Sequence, residues 1–188
     1  MIPVKGYSWV KETENNTSNR ALMSSYYFTI IGTRDNPLYE LEFSSFKTAV
    51  SSSTSTSNIP GRSNFPTSVK EILPFISNSS LDLIEDIQWS TNQFSLGKID
   101  SFYGLLINAF ITQGNIKFLL CYDLNGGNTS GGGSNLQSKN EDNSIKQFFT
   151  EANELYVKCL LNPFYSVNDA ITSPDFDMRL KMLARKYL

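Results

Sequence analysis

The stretch YYFTIIGTRDNPLYELEF, residues 26–43, decides the fold of this chain. Its first part, residues 26–32, is rich in β-branched and aromatic side chains, and residues 38–43 alternate apolar and acidic side chains with the period of two that is typical of a strand. Between them, Asn36 and Pro37 disfavour helix and supply a turn. These residues are therefore predicted to form an antiparallel hairpin with one face toward solvent.

Three further apolar runs between residues 94 and 123 extend this hairpin into a sheet. The runs are FSLGKI, YGLLINAFIT and IKFLLCYD. Asp100 and Ser101 separate the first two, and residues 113–115 separate the last two, so short hairpins are expected to connect them. Because hairpins join antiparallel neighbours, the whole sheet is predicted to be antiparallel.

Three stretches have the spacing of helices that bury one face. In the first, Pro74 is expected in the first turn, where its missing N–H costs nothing. The second spans residues 144–161, and the third begins after Ser173 as N-cap, with Pro174 at its first position. The predicted buried face of the first helix comprises Leu73, Ile76, Ser80, Leu83, Ile84 and Ile87. The resulting order, β-β-α-β-β-β-α-α, predicts an α+β fold.

Three polar segments interrupt these patterns. Residues 1–22 have no sustained period, residues 46–66 are rich in serine, and residues 125–143 contain GGNTSGGGS. Such compositions bury too little apolar surface to offset the entropy of ordering the chain. We therefore expect a disordered N-terminal extension, followed by one domain over residues 23–188 with flexible insertions at 46–66 and 125–143.

Charge and hydropathy exclude several classes of function. With 16 basic and 18 acidic residues the chain lacks the basic excess that nucleic-acid binding needs. No run of 18 apolar residues and no apolar signal-peptide core is present, so we predict no transmembrane segment and a cytoplasmic location. Cys121 and Cys159 lie within apolar patterns, which favours buried thiols over a disulfide or a metal site.

The residues for catalysis are also missing. The chain contains no histidine, which removes the commonest general base near neutral pH. Asp82, Glu85 and Asp86 cluster on the first helix, and a carboxylate pair can exchange protons, but a solvated acidic face is the simpler interpretation. The glycine-rich segment lacks the Lys-Ser/Thr ending of a phosphate loop. We predict no catalytic residues, no cofactor and no metal.

Six segments resemble, in order, the sedlin family of small subunits of the TRAPP vesicle-tethering complex. They cover about residues 24–188 apart from the two insertions, and their RDNP turn, SLDL helix and NPFY connector are the specific features. The segments are SSYYFTIIGTRDNPLYELEF, SLDLIEDIQW, LGKIDSFYGLLINAFIT, KFLLCYD, FFTEANELYVKCLLNPFY and SPDFDMRLKMLARKYL.

The resemblance implies a longin, or SNARE-like, fold. In that fold a five-stranded antiparallel sheet has the spatial order 2-1-5-4-3, with one helix on one face and two on the other. The resemblance further implies a non-catalytic adaptor that supports complex assembly in ER-to-Golgi transport and autophagy. Its partners would be other TRAPP subunits, with a Rab-type GTPase reached only through the complex. The chain would then lie peripherally at ER and Golgi membranes.

Two groups of residues are candidates for partner binding. In the family, the aspartate of the SLDL segment belongs to a partner-binding face; here it is Asp82, which shares one side of the helix with Ser79 and Asp86. Phe164 and Tyr165 lie in the proline-bounded connector and can act either as interface anchors or as buried rings that fix the last helix. Both interpretations hold if one ring is buried and the other exposed.

Alternative functions remain open at this stage. The chain could be a sedlin-like paralogue or another longin-domain trafficking adaptor. A SNARE longin domain would be followed by a long heptad-bearing segment, whereas this sequence stops at Leu188 directly after its last short helix. A carboxylate-dependent enzyme is disfavoured by the missing histidine.

Overall fold

Five strands form an antiparallel sheet in the computed structural model, which describes residues 24–45, 63, 65–123 and 135–188. The order across the sheet is β2-β1-β5-β4-β3, which confirms the predicted spatial order and places β1 and β5 at the centre. The strands are β1 (Ser25–Ile31), β2 (Pro37–Ser44), β3 (Ser95–Phe102), β4 (Leu105–Ile111) and β5 (Lys117–Asp123).

Three helices cover the two faces of this sheet. The helix α1 (Thr67–Gln88) packs on one face, and α2 (Asn135–Leu160) and α3 (Pro174–Tyr187) pack on the other. The predicted α+β fold, its element order and its division of helices between the faces are therefore confirmed. Both faces of the central strands are buried, because helices pack on both sides of the sheet and neighbouring residues of a strand point to opposite sides. The predicted solvent-facing side of the hairpin is therefore wrong for β1, whose Tyr27 and Ile31 lie in the core on the α1 side.

Each face has its own core. On the α1 side, Leu73, Ile76 and Ile84 pack against the sheet residues Ile107 and Leu119. On the α2 and α3 side the core is aromatic. There Phe28 has its ring centroid 6.0 Å from that of Phe118 and 5.2 Å from that of Phe148, both edge to face, and Phe149 and Tyr156 complete the cluster.

The edge strand β3 is irregular. Its register against β4 shifts between Ser95 and Gly97 and again between Lys98 and Asp100, and Gly97 has a φ of 70°. The sequence prediction of a turn at Asp100 and Ser101 is wrong, because β3 continues to Phe102. The turn lies at Tyr103 and Gly104, with φ values of 52° and 79°, the positive angles that a tight hairpin turn requires.

The start of α1 differs from the prediction. The helix begins at Thr67 after Pro66, so Pro74 lies in its interior and the expected first-turn position was wrong. Pro74 has no backbone N–H, so one helical hydrogen bond of α1 is missing there. One turn further on, the Ser77 hydroxyl donates a hydrogen bond to the Pro74 carbonyl at 2.9 Å.

The buried face of α1 also differs from the prediction. Leu81 is buried, whereas Leu83, which the apolar pattern placed on this face, is 37% exposed, and Ile87 is only half-buried. Ser77 is buried beside the predicted Ser80; both are small residues that let the helix lie close to the sheet while their hydroxyls donate to helix carbonyls. Angular position around the helix, and not apolar character alone, decides which leucine is buried.

The ordered part of the domain is longer than the apolar pattern indicated. The helix α2 begins at Asn135, nine residues before its predicted start, so residues 135–143 of the predicted insertion are helical. At the end of the other predicted insertion, Phe65 is buried in the α1-side core, and the Ser63 hydroxyl donates to Glu42 at 2.6 Å. The extension 1–22 and the rest of both predicted insertions lie outside the described residues.

Helix α3 is capped and anchored as its sequence predicts. The Ser173 hydroxyl accepts a hydrogen bond from the Phe176 amide at 3.4 Å. The Tyr39 hydroxyl donates to Asp177 at 2.6 Å, which attaches the first turn of α3 to β2. Hydrogen bonds from Lys181 and Tyr39 hold the pKa of Asp177 below its usual value.

The aromatic core should dominate stability. We expect Phe28→Ala to lower the free energy of unfolding by about 3–5 kcal/mol, because the ring is fully buried among other rings. Phe164→Ala removes the same side chain from an exposed position and should change stability by less than about 0.5 kcal/mol. Urea unfolding measures both, and equal losses would contradict this assignment of the core.

Candidate partner-binding surfaces

The outward side of α1 carries a row of exposed residues, here called the α1 stripe: Phe75, Ser79, Asp82, Asp86 and Trp89. Successive spacings of four, three, four and three residues place them on one side of the helix. The structure thus brings together the three residues predicted from the sequence. It adds an aromatic side chain at each end of them, Phe75 at 66% and Trp89 at 86% exposure.

The α1 stripe is about 21 Å long, since fourteen helical residues rise 1.5 Å each. Trp89 follows the last residue of α1 but keeps helical backbone angles, with φ at −80° and ψ at −16°, so it continues the spiral. Neither Phe75 nor Trp89 is among the partner-binding residues predicted from the sequence. Their positions could have indicated a binding surface, because Phe75 and Trp89 lie on the polar side of the helix, where large apolar residues are unusual.

The α1 stripe and its border are acidic. Glu71, Asp82, Glu85 and Asp86 lie between residues 71 and 89, and this interval contains no lysine or arginine. Within the described part of the chain, no ion pair involves Asp82, Glu85 or Asp86. Carboxylates in the last turn of a helix oppose its dipole, so Glu85 and Asp86 do not stabilise α1. Their charge is available to a partner.

The segment between α2 and α3, residues 161–173, is here called the connector. The side chain of Phe164 is 94% exposed, whereas Tyr165 is half-buried against the aromatic core and its hydroxyl donates to the Asp169 carbonyl at 2.8 Å. Burial raises the pKa of Tyr165 to about 12. Of the two interpretations left open by the sequence, Tyr165 fits the buried ring and Phe164 fits the exposed anchor.

Asn168 attaches the connector to the turn between β1 and β2. Its Oδ1 accepts a hydrogen bond from the Thr33 amide at 2.8 Å, and its carbonyl accepts one from the Asn36 side chain at 2.9 Å. Asn168 has a φ of 74°, a conformation that asparagine tolerates better than most residues. A Cβ atom at Gly32 would lie 2.3 Å from Asn168 Oδ1, so only glycine permits this approach.

Two further contacts hold the same junction. The Ile171 amide donates to the Leu38 carbonyl at 2.8 Å, which places the end of the connector beside β2. Lys117, buried at the start of β5, donates to Asp35 at 2.6 Å and thereby holds the turn against the sheet. The junction could not be predicted from the sequence, because Thr33 and Asn168 are 135 residues apart.

The two cysteine thiols are shielded from ionisation. Burial raises the pKa of Cys121 to about 12 and raises that of Cys159, which is half-buried, so both thiols are poor sources of thiolate. Across the described ranges, no three His, Cys, Asp or Glu side chains are grouped so that they could hold a metal ion. Nor does any described helix combine the length and apolarity needed to cross a bilayer.

Comparison with known proteins identifies similar chains. A family model described as Sedlin matches residues 30–186. The chain is 38% identical to trafficking protein particle complex subunit 20 of Saccharomyces cerevisiae, covering 86% of this chain and 97% of that protein. It is 35% identical to the transport protein particle 20 kDa subunit of Schizosaccharomyces pombe, with 86% and 98% covered. It is 33% identical to the probable trafficking protein particle complex subunit 2 of Drosophila melanogaster, with 88% and 99% covered.

The role of Asn168 can be tested by removing its side chain. We expect Asn168→Gly to keep the positive φ but to lower stability by about 1 kcal/mol, because the Thr33 amide loses its acceptor. Hydrogen exchange at the Thr33 amide should become faster. Asn115→Gly is the matched control, since Asn115 also has a positive φ and lies exposed in the β4–β5 turn. Equal effects of the two substitutions would contradict the anchoring role.

Proposed function

The chain belongs to the sedlin family, and from this membership we propose that it is a non-catalytic adaptor subunit of a TRAPP vesicle-tethering complex. Its relatives, which are named as subunits of trafficking or transport protein particles, support this proposal. In this role the chain binds other TRAPP subunits and supports assembly in ER-to-Golgi transport and autophagy. It lies in the cytoplasm, peripheral to ER and Golgi membranes, and meets a Rab-type GTPase only through the complex.

The observation that carries the proposal is the α1 stripe. Large aromatic side chains exposed to this extent are costly in an isolated protein and are enriched at interfaces. Between them, Asp82 and Asp86 supply charge without partners in the described part of the chain. A complementary subunit surface would have apolar pockets about 21 Å apart with basic residues between them.

Phe164 supplies a second point of contact in this proposal. Its ring is almost fully exposed, yet its backbone is fixed, because Tyr165 packs on the core and Asn168 holds the connector to the turn. A fixed backbone lowers the entropy that is lost on binding. Phe164 is therefore suited to enter a pocket of a neighbouring subunit, while Tyr165, the next residue, packs on the core.

The charged centre of the α1 stripe is tested by Asp82→Tyr. We expect this variant to keep the thermal stability of the wild type, because Asp82 is exposed, and to bind its partner subunits at least about tenfold more weakly in a pull-down from purified components. Asp142→Tyr places the same substitution at an exposed position of α2, on the opposite face of the sheet, and should bind normally.

The two variants separate the possible roles of Asp82. Loss of thermal stability in Asp82→Tyr would show that Asp82 has a structural role. Normal assembly of a stable Asp82→Tyr variant into the complex would overturn the proposed binding face.

The aromatic ends of the α1 stripe are tested by Trp89→Ala. We expect a loss of affinity of about tenfold or more, because exposed tryptophan side chains that become buried in an interface contribute strongly to binding. Tyr103→Ala is the control, since Tyr103 is 80% exposed at the β3–β4 turn and lies outside the α1 stripe. Titration calorimetry with the purified partner subunit measures both, and an unchanged affinity for Trp89→Ala would contradict the role of this residue.

A further inference from the structure

A second surface lies on the other face of the sheet, away from the α1 stripe. It is a groove of about 340 Å³, here called the apolar groove, between the C-terminal half of α2, the β4–β5 turn and the connector. Its lining comprises Phe94, Phe110, Thr112, Gln113, Gly114, Ile116, Asn153, Tyr156, Val157, Leu160 and Val167. This surface lies outside the α1 stripe, on the opposite face of the sheet.

The apolar groove contains no ionisable acid or base among its lining side chains apart from the phenol of Tyr156. Burial raises the pKa of Tyr156, so this phenol is neutral at physiological pH. A charged group that entered the groove would lose water without meeting an opposite charge, which is costly. The occupant must therefore be uncharged where it is buried.

The mouth of the apolar groove is itself apolar. Phe94, Val157, Leu160 and Val167 are all exposed while lining it, and the exposed side chains of Leu161 and Phe164 follow on the same connector. Apolar side chains grouped around a concave site indicate binding of an apolar ligand. The groove between α2 and α3 is a contrast, because Glu151, Glu154, Lys158 and Arg179 line it.

The size and the polar groups of the apolar groove favour a protein side chain. A volume of about 340 Å³ is at the small end of ligand sites, which suits one or two large side chains. Gln113 and Asn153 place amide groups in the lining, and an amide can both donate to and accept from the peptide groups beside a buried side chain. An acyl chain offers no group that these amides could bond.

We propose that the apolar groove binds one large uncharged side chain, aromatic or branched aliphatic, that a partner protein presents on a segment without charged neighbours. The groove and the α1 stripe lie on opposite faces of the sheet, so occupation of one leaves the other free.

The inference can be tested on the full chain with N-acetyl-tryptophanamide as the probe and N-acetyl-lysinamide as the charged control. We expect the tryptophan amide to cause saturable NMR shifts at backbone amides of residues 112–116 and 153–160. The lysine amide should bind at least about tenfold more weakly, because its ammonium group would have to lose water. Val157→Asp, which puts a carboxylate into the lining, should remove the response.

Met178→Asp is the matched control, since Met178 is exposed on α3 and lies outside the apolar groove. This variant should bind the tryptophan amide as the wild type does, and thermal melting of both variants checks that they fold. Three outcomes would overturn the proposal: no saturable shift, a response that survives Val157→Asp, or tighter binding of the lysine amide. Binding of phosphatidylcholine vesicles that depends on Val157, without a response to the tryptophan amide, would overturn it in favour of a lipid chain.

Discussion

The junction between the connector and the β1–β2 turn determines how this protein presents its surfaces. Asn168 occupies a space that only a glycine at position 32 leaves free, and its side chain satisfies the Thr33 amide. Because the connector is held there, Tyr165 packs on the core, Phe164 points outward and Val167 borders the apolar groove. The start of α3 is fixed by the same path, through the Ile171 amide and the Leu38 carbonyl. Two contacts thus hold the connector and the start of α3 against the β1–β2 hairpin, which is remote from them in sequence.

The sheet separates two surfaces of different chemistry. The α1 stripe combines acidic groups with aromatic ends, whereas the apolar groove on the opposite face has no charged lining residue at neutral pH. Electrostatic attraction acts at long range, so it orients two proteins and speeds their encounter. An apolar site contributes to affinity only after the two surfaces touch. The packed sheet between them keeps the two proposed surfaces at a fixed spacing.

The sequence correctly predicted the features that depend only on residues close to one another along the chain. The RDNP turn, the alternation in β2 and the cap of α3 by Ser173 depend on neighbouring residues, and all are found in the structure. The predictions were wrong or missing where a residue far away in the sequence, or the angular position of a side chain around its helix, determines the structure. Pro74 lies inside α1 because Pro66 can precede the helix, and Leu81 replaces Leu83 in the core through its angular position. Asp82 was placed correctly on the outer side of α1, but the contact of Asn168 with Gly32 could not be inferred from either segment alone.

The irregular edge strand β3 has a consequence for assembly. An exposed strand edge is a template on which foreign strands can add, and proteins that must coexist with many neighbours need to block it. In β3, two shifts of register and the positive φ of Gly97 interrupt the even row of amides and carbonyls that pairing with a further strand needs. This edge of the sheet is therefore poorly suited to pair with a strand of another molecule, so contacts made there depend on side chains and not on the backbone.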